Sequence, residues 1–402
     1  MEFNPRVIEI NTAKQACLAL KKIDCHSAGI NIMADKAVFK IIQLERVPAK
    51  AASLLKQTFL AKGGEVAVAR GTADLSIEYT DVLICATLKQ YKLAIAQLKV
   101  QPWGLPQLAC SIEQLLACAE TFPARRYQWK DRRLDITPGR TLIMGILNIT
   151  PDSFSDGGRY NSVELAVKRT EELIAAGADI IDIGAESTRP YAGSQSISAQ
   201  EELDRLLPVL EQVICCSSVP VSVDTYKAIV AHEALKLGAH MINDIWGLQQ
   251  DPDMARIIAQ FDVPAIVMHN QQGTHYSRNV MAHICAYLQR SIEVGVKAGI
   301  DRSKIIVDPG IGFGKTPAQN LYVMSRLEEL TAMGCPVLLG TSRKRFIGEV
   351  LGTEADDRVE GTGATVALGI SKGVNIVRVH DVKAITRVAK MTDAMLRGGE
   401  NG

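Results

Sequence analysis

The chain has 402 residues, of which 47% are hydrophobic and 22% charged, an ordinary globular composition that excludes disorder and fibrous architectures. Forty-five Lys and Arg against 44 Asp and Glu leave a net charge of +1, so no global field draws nucleic acid or an anionic membrane. No apolar run reaches the roughly 18 residues of a membrane span, the opening MEFNPRVIEI lacks a secretory profile, and the nine cysteines, with no CxxC among them, read as reduced thiols of a cytoplasmic protein.

The charge is not evenly spread. Residues 1–130 carry net +6 and the remainder net −5, and the stretch 122–140 is rich in charge and broken by Pro123, Pro138 and Gly139. These features predict a division near residue 125, with a small α/β domain of unassigned role over 1–125 and a larger one over 126–402. In the first part, 30–47 reads as a strand and 48–64 as a helix opened by Pro48 and closed by Gly63–Gly64. The runs EVAVARG (65–71) and DVLICATLKQ (81–90) follow as further strand signals. No acid–base pair, metal-ligand spacing or phosphate loop stands out in this part.

Beyond the division, short β-branched runs alternate with amphipathic segments. The runs are 141–149, 179–184, 219–224, 240–245, 263–269, 304–310, 336–342 and 375–381. Each is nearly continuous in apolar residues, as strands covered on both faces must be. Between the first two, Val163, Ala166, Val167, Thr170, Leu173 and Ile174 keep a helical period, and Gly177 stands where positive φ ends a helix. Eight strand–helix units predict a closed parallel sheet, that is, a TIM (β/α)8 barrel, with a doubly wound open sheet as the second reading.

Polar groups at the strand ends favour the barrel. Asn148, Glu186, Asp224, Asn243 with Asp244, His269, Asp308, Ser342 with Arg343 and Lys344, and Arg378 with His380 and Asp381 end the eight runs. One such residue is ordinarily a turn or a helix cap. Eight in succession match the catalytic face of a barrel, whereas an open sheet gathers its ligand groups at one switch point.

Four groups of residues point to chemistry. GILNITPDSFSDGG (145–158) and DIIDIGAESTRPYAG (179–193) leave strands for long loops of the kind that cover active sites and exclude water. Asp224, Asn243 and Asp308 suit a flat heterocycle, since carboxylates accept parallel N–H donors and an Asn offers one donor and one acceptor. DPGIGFGK (308–315) implies close backbone approach. Lys344, Arg378 and His380, near the ends of strands seven and eight, lie where barrels bind phosphate.

At these residues the sequence closely resembles the dihydropteroate synthase family. NITPDSFSDGG, ESTRP, DPGIGFGK, TSRK and RVHD occur in the family's order over roughly residues 126–395. The resemblance implies a transferase of folate biosynthesis. Such an enzyme condenses 6-hydroxymethyl-7,8-dihydropterin pyrophosphate with 4-aminobenzoate, giving 7,8-dihydropteroate and pyrophosphate. It further implies Asp224, Asn243, Asp308 and Lys344 as pterin contacts, and Asn148, Arg378 and His380 at the pyrophosphate, Asn148 through Mg²⁺. Thr188, Arg189, Phe313 and Ser342 would lie near the aminobenzoate and leaving group, with Asp152 and Phe154 on a covering loop. A homodimer through barrel helices and sensitivity to sulfonamides also follow from the resemblance. Tyr191 departs from the family pattern, which usually has Gly directly after the ESTRP proline. Two alternatives remain at this stage: a pterin barrel that transfers methyl groups between methyltetrahydrofolate and a corrinoid protein, and a non-catalytic pterin-binding scaffold.

Overall fold

The computed structural model describes residues 3–120, 124–149, 159–186 and 196–401. The chain divides into two compact units, Met1–Phe122 and Pro123–Gly402. The first contains α1 (Ala13–Lys22), α2 (Ser27–Ala37), β1 (Phe39–Pro48), α3 (Ala49–Leu60), β2 (Glu65–Val68), β3 (Tyr79–Thr87), α4 (Leu88–Leu98) and α5 (Leu105–Glu120). Its three strands form an antiparallel sheet in the order β1-β3-β2. Helices α3 and α4 share a core with the sheet in which Leu55, Phe59, Ile84 and Tyr91 are buried, Phe59 meeting Tyr91 edge-on at 5.3 Å between ring centres.

The unit is α/β, as the sequence suggests, but its first run is not one strand. Residues 27–37 are the helix α2; Val38 is extended and the paired strand begins at Phe39. Ile30 and Ala34, one helical turn apart, are the buried residues of α2, whereas alternation with period two begins in β1. The helix reading of 48–64 holds in α3, and Gly63 takes φ +78° beyond its end.

The second unit opens with an antiparallel hairpin, β4 (Arg125–Gln128) and β5 (Arg133–Ile136). Eight strands follow: β6 (Leu142–Asn148), β7 (Ile180–Gly184), β8 (Val221–Asp224), β9 (Met241–Asp244), β10 (Ala265–Met268), β11 (Ile305–Asp308), β12 (Leu338–Leu339) and β13 (Ile376–Val379). The helices between and after them are α6 (Arg159–Ala175), α7 (Ala199–Cys216), α8 (Ala228–Leu237), α9 (Met254–Phe261), α10 (Val280–Ala298), α11 (Pro317–Met324), α12 (Glu328–Thr331), α13 (Arg345–Leu351), α14 (Val359–Ser371) and α15 (Val382–Asn401). All ladders are parallel, in the order β11-β10-β9-β8-β7-β6-β13-β12. A bridge between Val307 and Val337, with the Val307 amide donating to the Pro336 carbonyl at 2.9 Å, joins β11 to the start of β12 and closes a TIM barrel.

Strand alternation sorts the side chains of this barrel. Ile143, Leu147, Ile181, Ile183, Val221, Val223, Ile242, Val267, Val307, Leu339 and Val377 join a core with helix residues such as Leu173, Leu206, Leu210 and Ala231. The intervening residues are buried but lie outside that cluster, and the alternation turns them to the barrel axis. Near the strand starts they are apolar, including Leu142, Met144, Ile180, Met241, Ile306 and Ile376. Near the strand ends they are Asp182, Ser222, Asp224, Asn243 and Asp308, joined by the half-buried Arg378. The inside of the barrel is therefore oily at one end and ionic at the other.

Candidate active site at the strand ends

Arg378, on β13, organises the ionic end. Its Nε donates to Oδ2 of Asp182 at 2.6 Å and its terminal nitrogen to Oδ2 of Asp224 at 2.7 Å. Asn243 donates from Nδ2 to the same Asp182 oxygen at 3.2 Å. Among the described residues, Asp182 Oδ1, Asp224 Oδ1 and Ser222 Oγ are buried without a hydrogen-bond partner. Buried acceptors left in this state are costly, and such sites await a donor. Burial raises the Asp224 carboxyl to about 7, with Arg378 opposing the shift and Asp182 adding to it. Arg378 remains cationic: burial disfavours its charge, and the carboxylates of Asp182 and Asp224 outweigh burial.

On the other side of the mouth stand Asp308 and Lys344. Asp308 closes β11 and accepts the Gly310 amide at 2.7 Å, while burial pushes its carboxyl above the usual range against the pull of Lys344. Lys344, just before α13, lays its ammonium 4.7 Å from the centre of the Phe313 ring and donates to the Ile311 carbonyl. Burial lowers its amine to about 8, opposed by Asp308. The two sides converge at Gly340, where a Cβ would come to 3.9 Å from Arg378 and 4.0 Å from both the Asp308 carboxylate and the Lys344 nitrogen. A side chain there would enter the site.

Ser342 and His380 lie beside this pair. The Ser342 hydroxyl accepts the His380 amide at 3.1 Å and stands 3.0 Å from its Nδ1, linking the ends of β12 and β13. Next to them, Arg343 makes a two-pronged ion pair with Asp381 while its backbone holds φ +58°. Asn148 ends β6, half-buried, opposite Gly184 in the ladder.

Of the residues singled out from sequence, Asp224, Asn243, Asp308, Phe313, Lys344 and Arg378 gather at one mouth, and Ser342, His380 and Asn148 end adjoining strands of it. Asp152, Phe154, Thr188 and Arg189 lie outside the described residues, as does Tyr191. Sequence reasoning passed over Asp182. Its signal was present in DIIDIG, where a carboxylate two residues from the strand end shares parity with the inward-facing positions. Lys315, fully buried, was also passed over.

A family model described as pterin binding enzyme matches residues 144–380. The dihydropteroate synthase of Bacillus subtilis is 55% identical over 260 residues, 65% of this chain and 90% of that protein. The chain belongs to the dihydropteroate synthase family. The solved dihydropteroate synthase of Clostridium difficile, crystallised in the presence of pteroic acid, superposes with a TM-score of 0.63 at 51% identity, covering 64% of this chain and 97% of that one. Both likenesses cover about two thirds of the chain. A protein of Halobacterium salinarum, described as a probable bifunctional folylpolyglutamate synthase/dihydropteroate synthase, aligns over 398 residues at 37% identity, 98% of this chain and 47% of that protein. That alignment also takes in the N-terminal unit, so the combination of the two units recurs in that relative of the dihydropteroate synthases.

Proposed function

We propose that the chain catalyses the dihydropteroate synthase reaction at the mouth just described: 6-hydroxymethyl-7,8-dihydropterin pyrophosphate and 4-aminobenzoate give 7,8-dihydropteroate and pyrophosphate. The observation that carries this reading is the set of orphaned acceptors, Asp182 Oδ1 and Asp224 Oδ1, set beside Asn243 at the floor of a buried mouth. A dihydropterin presents adjacent N–H donors along one edge and a mixed edge beyond, the complement of carboxylates plus an amide. Asp308 takes the guanidine-like edge, and Lys344 meets the ring from the side of Phe313.

The ring clamp is also the catalytic device. As the C–O bond to pyrophosphate breaks, positive charge develops on the exocyclic methylene and spreads into the ring, where the Asp224 and Asp308 carboxylates stabilise it. Arg378 and His380 face the leaving group. The arylamine attacks as the neutral amine, so no strong general base is required. Thr188, Arg189, Ser342 and Phe313 border the aminobenzoate and leaving-group side, with Asp152 and Phe154 as covering residues.

Among the described residues no cluster of three or more His, Cys, Asp or Glu forms a metal cage. Asn148, at a strand end, offers an amide oxygen, a hard donor that would suit Mg²⁺. Bound there, Mg²⁺ would neutralise charge developing on the leaving group. A homodimer would use the outer face of α13–α15, where Val350, Leu351, Leu368, Met391, Met395 and Leu396 are exposed. The nine cysteines are free, in keeping with a reducing, cytoplasmic setting, and among the described residues no helix is long and apolar enough to cross a membrane.

The test is turnover. Purified protein with the pterin pyrophosphate, 4-aminobenzoate and Mg²⁺ is expected to form dihydropteroate and pyrophosphate in equal amounts. Pterin binding without product would return the chain to the scaffold reading, and transfer of a methyl group from methyltetrahydrofolate to a corrinoid would favour the other barrel.

A further inference from the structure

Lys315 is among the largest fully buried side chains of the protein, and the reaction as set out above does not use it. Its amine meets three acceptors, as many as an ammonium has hydrogens: the Gly310 carbonyl at 2.8 Å, the Phe313 carbonyl at 3.0 Å and Nδ1 of His269 at 2.9 Å. His269 in turn is 3.2 Å from Nδ1 of His283 through its Nε2. The turn that supplies the carbonyls is wound tightly. Gly310, Gly312 and Gly314 all take positive φ, at +65°, +85° and +57°. A Cβ on Gly310 would collide with the His269 carbonyl, and one on Gly312 would sit 2.9 Å from the Lys344 side chain. Glycine at every second position is what lets the backbone curl and turn carbonyls inward.

We propose that Lys315 is a positioning residue: its ammonium serves as an internal cation around which the 308–316 turn folds its carbonyls, and this fixes Ile311 and Phe313 against Lys344 beside Asp308. The inference rests on the reading of Asp308 and Lys344 as pterin contacts. Lys315 does not touch substrate. It acts through the Ile311 carbonyl and the Phe313 ring, both of which hold the Lys344 ammonium. Burial holds the Lys315 amine well below the usual lysine range, with Asp308 pulling the other way and Lys344 adding to the depression. What favours the charged form is the geometry of the acceptors around Nζ, because hydrogen bonds to a charged donor are the strong ones. With Lys315 donating, His269 must keep its Nδ1 lone pair and carry its proton on Nε2, directed at His283.

The test removes the cation and offers it back. Lys315→Ala is expected to weaken binding of 6-hydroxymethyl-7,8-dihydropterin at least tenfold by calorimetry, and added ethylammonium or propylammonium to recover part of that loss. Propanol, of similar length and uncharged, recovers none. Lys315→Met, of similar length and neutral, is expected to show the same loss. Recovery by the alcohol, or wild-type affinity in the methionine variant, overturns the proposal. Should neither variant fold, nitrogen-15 NMR of histidine-labelled wild-type protein decides: a proton on Nε2 of His269 supports the ammonium, and a proton on Nδ1 overturns it. Failure of the wild-type protein to bind the pterin would instead count against the proposed function, and the NMR result would stand apart from it.

Discussion

At the start of the barrel strands, Asp393 of α15 accepts both the amide and the hydroxyl of Thr141, at 2.8 and 2.9 Å. Asp179 there accepts the Ile143 amide at 3.0 Å and pairs with Arg140. At the opposite end, Asp182 and Asp224 share one guanidinium, and each keeps a buried oxygen with no partner among the described residues. The same residue type is closed off at one end of the barrel and left open at the other. Closed carboxylates tie strand starts to helices, whereas open ones hold a place for the donors of a ligand. Mutations at the two ends should therefore separate stability from function.

The largest effect is expected from Arg378→Met. Two buried carboxylates then lose their common cation and one takes up a proton, so turnover should fall by about two to three decades. Because Arg378 bonds Asp182 and Asp224, the carboxylates that the proposed function sets against the pterin, binding of a pterin without pyrophosphate should weaken as well. Calorimetry showing unchanged pterin affinity would detach Arg378 from the ring clamp. At the other end, Asp393→Ala leaves the Thr141 amide and hydroxyl buried and unpaired, at a cost of about 2–3 kcal/mol. Its melting temperature should drop by roughly 5 °C or more, while kcat and KM stay within twofold. A large kinetic change there would erase the contrast between the two ends.

How much of this contrast was legible beforehand depends on the scale of the signal. The apolar runs and their polar ends marked the barrel because each strand is buried on both faces and then abruptly is not. Asp224, Asn243 and Asp308 sit at those ends and were visible for that reason. Asp182 was not, since a run dense in Ile hides which residues point inward until the register is known. The N-terminal unit misled at α2 because Ile30, Ile32 and Met33 suit a strand by composition, and only the burial of Ile30 with Ala34 shows a helical period. The pairing of Lys315 with His269 joins residues 46 positions apart, a separation no local pattern reports.

In the proposed function Asp224 accepts ring donors as a carboxylate, the form it takes above about pH 7, while Lys344 keeps its charge only below about pH 8. Pterin affinity should therefore peak between these values and fall on both sides, as calorimetry across pH 5–10 would show. Stability carries its own sign. Between about pH 4 and 7 the folded state holds a proton on Asp224 that the unfolded chain has released, so unfolding free energy contributed by this group declines as pH rises. For Lys344 the unfolded chain binds the extra proton between about pH 8 and 10.5, and that contribution grows with pH. A single-limbed affinity profile would mean that one of the two groups does not face the ring.

The smallest effect belongs to the N-terminal unit. Lys92 pairs with Asp35 at 2.6 Å, but the lysine side chain is 67% exposed. Lys92→Ala should change stability by less than about 0.5 kcal/mol by urea denaturation and leave turnover untouched. A larger loss would give that pair a structural weight its exposure does not suggest.

The seam that shuts the cylinder bears on all of this. β12 is only two residues long, and the ring is completed by one bridge at Val307, the residue immediately before Asp308. Should that narrow clasp part, the wall would spring open between Asp308 on one lip and Gly340 and Lys344 on the other. Amide exchange at Val307 thus reports at once on the seam and, through its neighbour Asp308, on the lip of the mouth.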